Sequence, residues 1–202
     1  MTSAVVIGNG ESRKQVDISL LRKDNILVGC NAIHRELDVD HLVCVDRRMI
    51  DESLANPKTQ FTTIYVRENW FEYYKDTRNN QNIKAVPTLP FPITQRADEP
   101  FHWGSGGYAV MVAVELGCNK ITLLGFDLYG IDNKVNNVYK DTPNYQPADS
   151  RAVDPSYWIY QIGLIFKYFP EIEFEIVNRQ DWSMPEQWKY PNVKFKSLTV
   201  DI

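Results

Sequence analysis

Three short segments of the chain combine glycines with polar side chains in the order that anion-binding loops require. Gly8-Asn9-Gly10-Glu11-Ser12 follows the apolar run Ala4-Val5-Val6-Ile7. A strand that ends in such a turn and passes into a helix offers backbone N–H groups and the helix dipole to a negative charge. Arg13 stands where the third glycine of G-x-G-x-x-G would be, so a dinucleotide fold fits poorly. A plain glycine turn with Ser12 as helix cap explains the motif equally well. The second segment, Trp103-Gly104-Ser105-Gly106-Gly107, opens an apolar helix. Glycine inside a helix costs about 1 kcal/mol relative to alanine, so Gly106 and Gly107 need a reason. Close approach of a ligand and tight packing against a sheet are both sufficient. The third holds Asp127 and Tyr129 between Gly125 and Gly130; a carboxylate there could bind a ribose hydroxyl or a metal, or cap the next turn. Gly8, Gly10, Gly104, Gly106, Gly107, Gly125 and Gly130 all fall at strand–helix junctions on one expected edge. That concentration favours a phosphate-bearing ligand over packing alone.

Such segments need a sheet to hold them on one edge. Ala4–Ile7, Ile26–Val28, His41–Val45 and Thr62–Val66 read as short β-branched strands, with helices expected over Glu11–Leu21 and about Met49–Leu54. From Asn79 to Pro100 the prolines and the lack of a period predict an irregular connection. Ser105–Leu116 is apolar almost all round, which predicts an interior helix, and Gly117 ends it. Ile121–Leu124 is the next strand. Residues 131–154 are polar and long enough for a lid. A helix over about Pro155–Phe169, a strand over Glu173–Val177 and an edge strand at Val193-Lys194-Phe195 complete the pattern. Apolar strands alternating with helices predict an α/β, Rossmann-like, doubly wound fold with a mostly parallel sheet.

The 202 residues suit one domain, residues 1–202, burying roughly 70% of the surface its unfolded chain would expose. A net charge of -4 without a block of basic residues argues against nucleic acid as the main partner. No apolar run approaches the ~20 residues of a membrane span, and the first residues lack the pattern of a signal peptide. Cys30, Cys44 and Cys118 form no C-x-x-C pair, so buried thiols in a reducing cytoplasm are expected.

Other candidates divide by position. Asp38-Val39-Asp40 looks like a D-x-D metal motif but precedes its strand, at the wrong edge. Asp46 follows the same strand and is better placed for a nucleotide or metal, with Arg47 beside it for a phosphate or a surface ion pair. His34 and His102 have no spaced partner and read as structural or rim residues.

Ile7-Gly8-Asn9-Gly10 with Ser12 and Asp17, then Cys30-Asn31, Ser105-Gly106 and Leu124-Gly125-Phe126-Asp127-Leu128-Tyr129, resemble in order and spacing the bacterial lipooligosaccharide sialyltransferases, which use a CMP-activated sugar. The resemblance runs to about residue 180 and is most specific from Ser105 to Tyr129. In size and motif the chain also resembles short phage-encoded relatives. The glycine turn alone is shared with archaeal-type hydroxymethyl-dihydropterin diphosphokinases and flagellin-glycosylation accessory factors. By resemblance, Asn9, Asn31, Ser105, Gly106 and Gly107 are expected to bind the nucleotide, and by their positions at the same edge Gly8, Gly10, Asp46 and Asp127 are expected to join them. Tyr129 is expected to meet the leaving phosphate, with a second phosphate-binding tyrosine in the lid matched by Tyr139 and more loosely by Tyr145. The family's catalytic histidine, between lid and last helix, has no counterpart, because Ser150-Arg151-Ala152-Val153-Asp154 occupies the region. Asp154 or Asp149 could replace it, though a carboxylate near pKa 3.9 is a weaker base than histidine unless desolvated. Asp154 reads more simply as a helix cap before Pro155.

These readings predict a glycosyltransferase moving a sugar from a nucleotide sugar, CMP-sialic acid-like or a UDP- or GDP-sugar, to a hydroxyl of a glycan or other acceptor. No metal is required if enough donors converge on the leaving phosphate. The alternatives are a diphosphokinase with a divalent metal on Asp46 and Asp127, and a non-catalytic nucleotide-binding module. Acceptor specificity then falls to the lid or to a second subunit of a homo-oligomer.

Overall fold

The computed structural model describes residues 2–76, 82–91 and 103–198. Eight strands form one sheet: β1 (Ser3–Ile7), β2 (Ile26–Cys30), β3 (His41–Val43), β4 (Thr63–Val66), β5 (Ile83–Ala85), β6 (Lys120–Leu124), β7 (Glu173–Arg179) and β8 (Val193–Leu198). Their order is β5-β4-β3-β2-β1-β6-β7-β8, and every pairing is parallel. The chain winds outward from β1 to β5, then crosses to the other side of β1 to lay down β6, β7 and β8.

Both faces of the sheet are covered, as strands this apolar require. Successive side chains of a strand point to opposite faces. Ala4 and Val6 of β1 therefore join one core with α3 (Ser105–Glu115) and α4 (Ser156–Tyr168), while Val5 and Ile7 join the other with α1 (Arg47–Ala55) and Tyr74 of α2 (Glu68–Tyr74). Helix α3 is interior, with Gly107 through Ala113 all buried, as its composition predicts. It ends on Gly117 at φ +74, a left-handed position that glycine takes without strain.

Four expectations need correction. The helix over Glu11–Leu21 is instead two 3-10 turns, Glu11–Gln15 and Ile18–Asp24. Asp17 separates them by accepting a hydrogen bond from Ser19 N at 3.0 Å, local competition that breaks a weakly apolar helix, and Leu20 points into solvent. Strand β3 stops at Val43, two residues early. The irregular stretch contains strand β5, too short at three residues to show a period, and β8 runs on to Leu198. Residues 79–81 and 92–102, including His102, lie outside the described residues.

Candidate functional site

Because β1 is flanked by β2 and β6, the carboxyl ends of β1 and β6 bound the crevice where open α/β sheets take ligands. The turn after β1, Asn31 after β2, Asp46 after β3, the start of α3, and Asp127 with Tyr129 after β6 all lie along this edge.

The first turn is closed on itself. Gly8 N donates to Leu124 O and Gly10 N to Gly125 O, each at 2.8 Å. Glu11 N donates to Asn136 Oδ1 and Ser12 N to Asp127 Oδ2, each at 2.9 Å. Four of the backbone N–H groups between Gly8 and Ser12 are thus satisfied by protein, and the short 3-10 turn that follows supplies little dipole. A methyl on Gly8 would lie 2.5 Å from Gly125 O, and one on Gly10 would lie 2.3 Å from the Asp127 carboxyl carbon. Close crossing of two loops therefore explains these glycines, and in this turn their concentration does not point to a phosphate. Asp127 is corrected in the same way. It is 7% exposed, accepts from the backbone and hydroxyl of Ser12 and faces Asn178 Nδ2 at 3.4 Å. Its carboxylate braces the crossing and has no free edge for a ribose or metal.

A different cluster faces the crevice. Ser105 Oγ donates to Asn31 Oδ1 at 2.8 Å and accepts from Val45 N at 3.3 Å, joining the ends of β2 and β3 to α3. Asn31 sits at φ 51, a left-handed conformation that asparagine tolerates better than most residues. Asn9 Nδ2 donates to the Tyr145 hydroxyl at 3.2 Å, and Ala32 N reaches the same hydroxyl at 3.4 Å. Asn9 Oδ1 is buried without a partner among the described residues, an acceptor that a bound donor group would satisfy. The first bond of the α3 ladder here is Tyr108 N to Gly104 O, so the amides of Ser105, Gly106 and Gly107 precede it. Gly106 and Gly107 also pack closely, with added methyls 3.2 Å from Phe126 and 3.1 Å from Trp103.

The segment 131–154 docks over this edge. Val138 N donates to Asn9 O at 2.8 Å. Arg13, only 3% exposed, pairs with Glu36 and donates to the Tyr139 hydroxyl at 2.9 Å; that hydroxyl donates to Glu36 in turn. Arg35 grips Glu52 bidentately and reaches Thr142 Oγ1 and Pro143 O, while Asn144 donates to Glu52. Tyr139 is thus a fastener with its hydroxyl already spent, and Tyr145, six residues on, is the lid tyrosine that reaches Asn9. Burial raises the hydroxyl pKa of Tyr129, Tyr139 and Tyr145, so each is a protonated donor at neutral pH. Arg13 stood in plain view inside the glycine motif, but nothing local marked Glu36 or Tyr139 as its partners.

Asp46 is exposed and makes no capping bond at the start of α1, leaving a free carboxylate. It follows β3, three strand spacings or about 14 Å from the strand that carries Asp127. One divalent ion could not take both. Among the described residues no group of three His, Cys, Asp or Glu side chains is arranged to hold a metal. Asp154 is exposed and accepts from Ser156 N at 2.9 Å at the start of α4, the capping role that Pro155 suggests. It also lines a cleft of about 730 Å³ with Tyr129, Gly130, Asn133 and Arg151. His34 is buried beside Asn56, and His41 begins β3 at the opposite edge. Cys30, Cys44 and Cys118 are free and buried, and burial lifts the Cys30 thiol to about 12. Among the described residues no helix is long and apolar enough to cross a membrane.

No family model matches the sequence, and no curated protein matches it either. Solved structures do. Sialyltransferase CstII from Campylobacter jejuni in complex with the substrate analogue cytidine-5'-monophosphate is 16% identical, with 87% of this chain covering 79% of that one at a TM-score of 0.57. Monofunctional alpha-2,3-sialyltransferase Cst-I from the same organism is 16% identical over 90% of this chain and 77% of that one, with a TM-score of 0.58. CstII with a trisaccharide acceptor and CMP is 18% identical over 87% and 80%, with a TM-score of 0.52. The chain has the α/β fold of these sialyltransferases.

Proposed function

We propose that the protein is a glycosyltransferase that takes a sugar from a nucleotide sugar, with CMP-sialic acid as the first donor to test, and transfers it to a hydroxyl of a glycan. The observation that carries this reading is the meeting of Asn9, Asn31, Ser105 and Tyr145 beside the free amides of α3, with Asn9 Oδ1 unsatisfied. Similarity of fold to sialyltransferases solved with CMP supports it.

Asn9 and Asn31 would hold the base and ribose, with Asp46 free for a ribose hydroxyl. The α3 amides and the Tyr145 and Tyr129 hydroxyls would stabilise charge on the leaving nucleoside phosphate as the glycosidic bond breaks. These donors carry the phosphate charge without a metal, so turnover is expected to persist in EDTA. Asp154, with Oδ1 engaged by Ser156, keeps Oδ2 for the acceptor hydroxyl in the adjoining cleft, and Asp149 is the competing base. Tyr139 and Arg13 would hold the lid. Calorimetry with CMP, UDP, GDP and ADP tests the donor class. CMP binding with weaker binding of the others is expected, and no binding by any at millimolar concentration would overturn the reading. A kcat lowered in Asp154→Asn and unchanged in Asp149→Asn would support Asp154 as base.

A further inference from the structure

The lid tyrosine that reaches the crevice is held by residues that themselves stay out of it. The Tyr145 hydroxyl accepts from Asn9 Nδ2 at 3.2 Å and from Ala32 N at 3.4 Å. Both bonds end on its oxygen, and among the described residues nothing takes its proton. A phenol in that state has one donor to give to a ligand, and the worth of such a donor depends on where it is aimed.

The aim begins in the backbone. Tyr145 N donates to Thr142 O at 3.1 Å, closing a turn in which Pro143 is second and Asn144, at φ 68, is third. Proline followed by a residue of positive φ is the type II pattern. Arg35 holds this turn along its length. Its Nη1 donates to Thr142 Oγ1 at 2.8 Å and its Nη2 to Pro143 O at 2.9 Å, while Nε and Nη2 hold the two Glu52 oxygens at 2.6 and 2.7 Å. Glu52, on α1, accepts from Asn144 Nδ2 at 2.8 Å. Each turn residue before Tyr145 is therefore tied to one ion pair. The guanidinium also lies 5.6 Å from the centre of the Tyr145 ring and 5.5 Å from that of Tyr139, within cation–π range. Only a planar fork makes these bonds together, because a lysine offers a single point charge.

Arg35 closes the 3-10 turn Asn31–Arg35. Those five residues present Asn31 and Ala32 N to the crevice at one end and grip the lid at the other. We infer that Arg35, through its pair with Glu52, is a positioning residue that sets the Tyr145 hydroxyl against the leaving phosphate before the donor arrives. The inference rests on the proposed transfer reaction, in which that hydroxyl meets the phosphate, and extends it by naming what orients the hydroxyl.

Calorimetry and saturation-transfer NMR on the full chain compare CMP with cytidine, which differs from it only by the phosphate. Arg35→Gln is expected to weaken CMP about tenfold and cytidine by less than about twofold. Arg35→Lys keeps the charge and loses the fork, and is expected to recover little of the loss. In a Tyr145→Phe background, Arg35→Gln is expected to have almost no further effect on CMP, the coupling required of a residue that acts through Tyr145. Asn144→Gly keeps the positive φ and removes one tie to Glu52; it replaces Arg35→Gln if that variant does not fold, with an expected loss of about threefold for CMP alone. Equal losses for CMP and cytidine, full recovery in Arg35→Lys, or additive losses in the double variant would each overturn the inference. So would unchanged CMP affinity in Arg35→Gln or, where that variant does not fold, in Asn144→Gly. If the parent protein binds neither ligand, the transferase reading itself fails; if the parent binds CMP and the variants behave in one of these ways, only the role of Arg35 falls.

Discussion

Two junctions along the same sheet edge use glycine for different ends. Where the turn after β1 meets the loop after β6, Gly8, Gly10 and Gly125 let two backbones touch, and the amides and the Asp127 carboxylate satisfy one another. Where β2 and β3 meet α3, Ser105 and Asn31 bond across the gap, and the amides before the helix ladder face the crevice. Similar residue types thus build a structural clasp in one place and a polar pocket in the other. Spacing does not separate them; what each amide already bonds to does.

The contrast is sharpest under substitution. Gly10→Ala drives a methyl into Asp127 and Gly8→Ala into the Gly125 carbonyl, so each is expected to destabilise by about 3 kcal/mol, read as a shifted urea midpoint. If Gly10→Ala were as stable as the parent and lost only nucleotide affinity, the clasp would be a ligand site after all. Asp127→Ala leaves the Ser12 amide unpaired in the interior and is expected to cost about 2 kcal/mol, again in the denaturation curve. At the other junction the balance reverses. Ser105→Ala is expected to weaken CMP roughly tenfold by calorimetry, while the loss of the long bond from Val45 N and of the Asn31 contact costs about 1 kcal/mol, less than either glycine change at the clasp. A purely structural Ser105 would show the opposite pattern.

The smallest expected effect is on pH, through the lid fastening. Hydrogen bonds from Arg35 hold Glu52 below the usual carboxylate range, outweighing its partial burial. Burial lowers His34, with Glu52 opposing. A group whose pKa is depressed by folding contributes stability above its unfolded pKa and loses it as pH falls through the folded value. Melting temperature is therefore expected to fall first below about pH 6.5, where the unfolded His34 protonates, and again below about pH 4.3 for Glu52. His34→Gln should shrink the first decline, leaving the share of His41, which burial also lowers, and should leave the second intact. A stability that instead rises on acidification would mean that His34 gains, not loses, from protonation beside Glu52.

Legibility followed the range of the forces. The parallel sheet, the interior α3 and its Gly117 stop were readable because burial on both faces writes continuous apolar runs into short stretches. Strand β5 and the paired 3-10 turns were not, since three residues show no period and Asp17 acts through one local bond. Within the site, the motifs placed Asn9, Asn31 and Ser105 on the edge where the sheet now puts them. The employment of Asp127, Arg13 and Tyr139 depended on partners over 100 residues away, Ser12 for the first and Tyr139 for the second. A sequence read in windows has no access to such pairs.

The position of β1 in the middle of the sheet has a consequence for how the chain assembles. Its second neighbour, β6, is made more than a hundred residues later. During synthesis at about 5–20 residues per second, the first five strands must wait several seconds with an apolar edge open along Ala4 to Ile7. Late pairing over such a separation slows folding and leaves a template for other chains. Pairing of β6 closes that edge, and the crossing of Gly8 and Gly125, which can form only once β6 is in place, locks it at its carboxyl end.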